Sequence, residues 1–220
     1  MKGLFYKELY TLSSYKKTIV VFFLIFIFVA FLNKAYVMLP IMMALPAMMA
    51  TVATFSYDEL ARWDRFALTL PIGRHDLVRG KYYFFLVLVL GCLLFGFLLT
   101  MVFQVVMNGA IQWEDLVGSL VGAIIGVIGC TCIQIPLIYR YGVEKARIGL
   151  FVLVGFFGIL LFGVISLFRY FHIHLFELFY QLTWSTMTVV VVVFAALFLL
   201  MLALFVSYRV SCHFFDKREL

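Results

Sequence analysis

The sequence predicts an all-α membrane protein with six transmembrane helices. Three observations carry this. Two-thirds of the 220 residues are apolar, 13% are charged and the mean hydropathy is +1.13. So few polar groups could not cover the surface of a water-soluble domain. Six apolar runs, near 18–32, 35–56, 82–107, 116–139, 148–168 and 184–208, approach or exceed the about 20 residues that cross a hydrocarbon core. They are continuous rather than alternating, which selects helices over barrel strands. Finally, counting cations loop by loop places fifteen Lys and Arg on one side and two, Lys34 and Arg169, on the other. The positive-inside rule then puts both termini and the 57–81 loop in the cytoplasm.

Taken in order, residues 1–17 read as an amphipathic helix on the inner leaflet, with Leu4, Phe5, Leu9 and Leu12 on one face. The first run is short and needs its flanks to reach the interface. The second holds Pro40, Pro46 and the methionines Met42, Met43, Met48 and Met49, followed by Thr51. Proline frees backbone groups and invites a kink, and methionine adapts to irregular surfaces. This run reads either as the wall of an apolar path or as ordinary packing. The fourth run carries Gly118, Gly122 and Gly126, a small-residue repeat that lets backbones approach closely, in this chain or another. Between the fifth and sixth runs, 169–184 reads as outer interfacial helices. His172 and His174 there, with only Glu177 nearby, make a poor metal site.

The longest polar interruption is YDELARWDRFALTLPIGRHDLVRGK, residues 57–81, with five cations and four acids. Leu60, Trp63, Ala67 and Leu70 recur at helical spacing, and Asp58 to Arg62 is a favourable i,i+4 pair. Ser56 and Glu59 have capping-box spacing, Pro71 ends the helix, and a second helix restarts near Gly73 or Arg74. A helix resting on anionic lipid would keep acids away. The near balance of charge here suits a protein surface instead. Asp58, Glu59, Arg62, Trp63, Arg65 and Phe66 are the expected docking residues, with Trp63 as the anchor.

Catalytic patterns are missing. The sequence has no GxxxxGK[ST], HExxH or GxSxG. The spans as drawn hold no Asp, Glu, Lys, Arg or His, and their notable polar residues are Gln104 and Gln134, read as interhelical hydrogen bonds. The cations are short juxtamembrane groups, so no nucleic acid is expected.

The run Tyr57-Asp58-Glu59, Trp63, Leu70-Pro71-Ile72-Gly73-Arg74 and Lys81-Tyr82 resembles the first cytoplasmic loop of ABC-2 type permeases, and Phe5-Tyr6-Lys7-Glu8-Leu9 resembles their entry segment. The resemblance implies a single transmembrane domain over 1–220 and a coupling helix within 57–81. It also implies an exporter half in a bacterial plasma membrane. Two copies of a separate ATP-binding subunit would hold ATP and magnesium, leaving no cofactor in this chain. The partner permease would be a second copy or a paralogue. Amphipathic or antimicrobial peptides and drug-like compounds are the implied substrates. Gly73 stands where such permeases often have Ser, which weakens a cap. Two other classes fit the residues: a non-transporting immunity or sensor scaffold, and a secondary carrier for a neutral apolar solute.

Overall fold

A computed structural model describes residues 2–71, 73–109, 112–170 and 186–217, and no strand occurs among them. The helices are α1 (Lys2–Ser13), α2 (Lys16–Leu32), α3 (Leu39–Leu60), α4 (Trp63–Ala67), α5 (Arg74–Asn108), α6 (Trp113–Tyr141), α7 (Val143–Tyr170) and α8 (Thr186–Asp216). A 3-10 turn, Tyr36–Met38, leads into α3. The expected interfacial segment at 169–184, with His172, His174, Glu177, Tyr180 and Trp184, lies mostly outside the described residues. Among the described residues, four helices are long and apolar enough to cross a membrane: α3 with its leading turn, α5, α6 and α8. Together α1 and α2, bent by 67° between Ser13 and Lys16, raise this to five. α7 is 28 residues long.

Helix association inside a bilayer gains little from the hydrophobic effect, since lipid tails are as apolar as leucine; close packing and hydrogen bonds carry it. α3 sits at the centre and shows this best. Ala44, Ala47 and Ala50 are all buried and let α5 and α6 approach. The tightest approach is at Gly96, where an added Cβ would lie 2.8 Å from Pro40 Cα. Four residues on, Thr100 Oγ1 donates to the Tyr36 carbonyl at 3.2 Å. Gly96 and Thr100 thus form the small-residue repeat that packs helices in this chain. Gly118, Gly122 and Gly126 do not, because a Cβ at each would meet nothing within 4 Å among the described residues.

The second core joins α5, α6 and α8. The Tyr82 hydroxyl lies 2.6 Å from Ser207 Oγ and 2.9 Å from Ser211 Oγ, and Ser207 Oγ lies 2.7 Å from the Cys132 carbonyl and donates to it. Arg74 closes the end of α8 by donating to the carbonyls of Phe215 and Asp216 at 3.3 and 2.8 Å. A cation at a helix C-terminus also answers the dipole. Of the two glutamines, Gln104 accepts a hydrogen bond from the Gln112 amide at 3.2 Å. Its Nε2 and the Gln134 Oε1 are buried without a hydrogen-bond partner among the described residues.

The 57–81 segment departs most from expectation. α3 continues through Asp58 and Glu59 to Leu60, so 58–70 is not one helix. Arg62 takes left-handed angles (φ +50°) and breaks the chain direction before the five-residue α4. Ser56 lies inside α3 and donates to the Val52 carbonyl, so it caps nothing. Asp58 pairs with lysines of other helices rather than Arg62. The α4 helix ends at Ala67, ahead of Pro71. The helix restarts at Arg74 behind Gly73, which supplies no side-chain cap. The expected apolar face also dissolves: Ala67 is buried, whereas Leu60 is 82% exposed.

Candidate functional site

Two acids and two lysines from three helices meet at the charged end of the bundle. α1 brings Lys7 and Glu8, α3 brings Asp58 and α5 brings Lys81. Lys7 Nζ donates to Asp58 Oδ1 and, at 2.9 Å, to Glu8 Oε1. Lys81 Nζ lies 2.8 Å from Glu8 Oε1, 2.5 Å from Asp58 Oδ2 and 3.4 Å from Thr54 Oγ1. Each ammonium also faces a ring, Lys7 at 4.8 Å from the Trp63 centroid and Lys81 at 4.6 Å from Phe55. Glu8, Asp58 and Lys81 are buried. The group is neutral overall, which is how two carboxylates tolerate removal from water.

Local sequence explains the meeting. Leu4, Glu8 and Leu12 are spaced i, i+4, i+8, so the face of α1 that docks Leu4 against the bundle must also bury Glu8. Leu9, expected on that face, is 40% exposed beside Tyr6 and Tyr10. Phe5 packs edge-on against Tyr83 and Phe84 of α5. Burial by itself would raise the Glu8 pKa. The ammonium groups of Lys81 and Lys7 outweigh burial and hold it below its ordinary value of 4.5. Glu8 Oε2 has no hydrogen-bond partner among the described residues. It borders a cleft of about 30 Å³ shared with Tyr139 and Phe215, room for about one water.

Of the six expected docking residues, two are turned to internal work. Asp58 belongs to the charge cluster. Glu59 Oε2 accepts the Val143 amide at 3.1 Å, capping the first turn of α7, where Gly142 has φ +83°. Trp63 is half-buried against the bundle core rather than presented outward. Arg62, Arg65 and Phe66 remain on the surface, Phe66 at 56% exposure.

The expected path residues separate in the same way. Met43 is buried with Leu39 and Tyr36, and Thr51 is buried and bonded to the Ala47 carbonyl. Met48 packs against the central core, and Met42 is half-buried. Met49 is exposed and lines a groove of about 190 Å³ between α2 and α3, with Ile19, Phe22 and Pro46 along it and Tyr15 and Arg147 at its charged end.

Sequence reasoning missed the four-charge cluster. Its signals were Glu8 at the spacing of an apolar face, and a Lys81 directly ahead of a long apolar run.

The described residues form a bundle of long apolar helices with a charged end, the architecture of a multi-pass membrane protein. The chain belongs to the ABC-2 family transporter proteins, whose family profile matches residues 3–216. It is therefore a multi-pass membrane permease of an ABC transporter, and such permeases generally work with a separate ATP-binding subunit. No curated protein and no solved structure matches the chain.

Proposed function

We propose that this chain is the permease half of an ATP-driven exporter in a bacterial plasma membrane. It would expel an amphipathic or hydrophobic compound, with six spans and both termini in the cytoplasm. In this reading α1 and α2 give an interfacial helix and the first span, α7 supplies the fifth span, and the charged end faces the cytoplasm. The cation asymmetry supports that orientation. Two permeases pair, each with an ATP-binding subunit that carries ATP and magnesium.

The observation that carries the proposal is the surface around α4. Arg65 and Phe66 are exposed on a short helix, and Arg62 is exposed just ahead of it. That helix is held to the bundle by Trp63 and, through Lys7, by the charge cluster. An exposed aromatic flanked by arginines has the composition of an interface hot spot, and the fixed base lets force on it reach α1, α3 and α5 together. The groove beside Met49 is the candidate entry for substrate, and α3 is the moving wall.

The test is recovery of the ATP-binding subunit with the tagged permease. Phe66→Ala with Arg65→Glu should lose the partner by about thirtyfold or more while the permease stays folded in the membrane. Full recovery of coupled ATP hydrolysis by that variant would overturn the assignment.

A further inference from the structure

The groove beside Met49 has a chemistry that selects its occupant. Its walls are apolar along α2 and α3, while one cation, Arg147, and the hydroxyl-bearing residues Tyr15, Thr18 and Ser56 gather at the charged end. No acid lines it among the described residues. Glu144, one turn from Arg147, is 81% exposed at its side chain and 3.8 Å away. So loose a pair, at the surface, leaves the guanidinium available. Lys16, Lys17 and Lys145, within two positions in sequence of lining residues, are exposed.

Size narrows the occupant further. Ser56 and Pro46 mark the two ends of the groove on α3. Ten helical residues span about 15 Å, half of a hydrocarbon core about 30 Å thick. The groove thus runs from headgroup level to about the midplane. Its volume of about 190 Å³ is below the roughly 300–1,000 Å³ of pockets that enclose drug-sized ligands. It holds one alkyl chain and leaves the polar head outside, beside Arg147.

We propose that this groove binds a single-chain anionic amphiphile, its phosphate, sulfate or carboxylate on Arg147 and its chain along Ile19, Phe22, Pro46 and Met49. The guanidinium offers a planar pair of donors to such a head, which an ammonium would not match. A cationic amphiphile is repelled at the same point. The proposal names the substrate class within the exporter reading and rests on it for the word substrate, but the binding site stands without it.

The experiment is equilibrium binding of radiolabelled dodecyl phosphate to the full chain in phosphatidylcholine nanodiscs, without ATP or the ATP-binding subunit. Dodecyltrimethylammonium is the cationic comparison. Dodecyl phosphate should bind at least about tenfold tighter, Arg147→Gln should remove about that factor, and Met49→Trp should fill the groove and weaken both probes. Arg209→Gln, a surface cation on α8 away from the groove, should change neither. Equal affinity for the two probes, or equal effects of Arg147→Gln and Arg209→Gln, would overturn the proposal. Displacement of the probe as phosphatidylglycerol replaces phosphatidylcholine would also overturn it, by making this a two-chain lipid site. Failure here leaves recovery of the ATP-binding subunit untouched, so the two readings fall separately.

Discussion

Lys81 Nζ lies 2.5 Å from Asp58 Oδ2, joining the first turns of α5 to the last turn of α3 in a buried position. Both side chains are less than a tenth exposed. Removing one partner of such a pair typically costs about 3–5 kcal/mol, because the other is left buried and unpaired. Asp58→Ala and Lys81→Met should each lower the thermal unfolding midpoint of the detergent-purified chain strongly. The double variant should be less damaged than the two losses combined. Strict additivity in this cycle would mean that the pair does not couple.

Acid should attack the same cluster through Glu8. Its pKa is lowered in the fold, with Lys7, Lys81, Asp58 and Tyr139 as the titratable groups around it. A depressed carboxyl contributes stability that is complete above its ordinary value and is lost as the pH falls through the folded value. As the pH falls below 4.5, the unfolding midpoint of the wild type should drop more steeply than that of Glu8→Gln. Parallel pH profiles would remove Glu8 from the account.

Gly96 and Gly122 should behave oppositely. A methyl group at Gly96 meets the backbone of Pro40, which cannot yield as a side-chain end would. Overpacking of this kind typically costs about 1–3 kcal/mol. Gly96→Ala should reduce the folded yield in the membrane, whereas Gly122→Ala, with open space at its Cβ, should leave the isolated chain unchanged. Size-exclusion profiles of the two variants decide this.

Trp63 and Phe66 separate folding from docking. Trp63 packs on the core and under Lys7, so Trp63→Ala should cost stability on the order of 2 kcal/mol, about half of what a fully buried tryptophan loses. Phe66 is exposed, and Phe66→Ala should leave the unfolding midpoint within about 0.5 kcal/mol of wild type. Equal destabilisation by both would show that α4 folds as one unit.

The helices were readable because apolar length is a property of the sequence itself. The runs at 82–107 and 116–139 needed only extension into their polar flanks, to Arg74–Asn108 and Trp113–Tyr141. Those flanks hid the site. Asp58 and Lys81 fall outside the apolar runs and read as loop charges, yet both lie within helices and are buried by α1. Periodicity places residues on a face, but it does not say which face another helix will cover. The α4 segment failed for a different reason. Its break comes from a left-handed Arg62, a geometry for which arginine gives no signal. The glycine repeat at 118–126 read as a packing seam within this chain or against another, whereas the close approach within the chain is at Gly96 and Thr100, which are less regular in sequence.

The charge cluster also orders events during synthesis. Lys81 follows Glu8 by seventy-three positions in the chain. At roughly 5–20 residues per second, α1 waits some 4–15 s for its last partner. In that interval Asp58 emerges with α3 as a partner for Lys7, while Glu8 has Lys7 alone. The four-charge cluster is complete only when the start of α5 arrives.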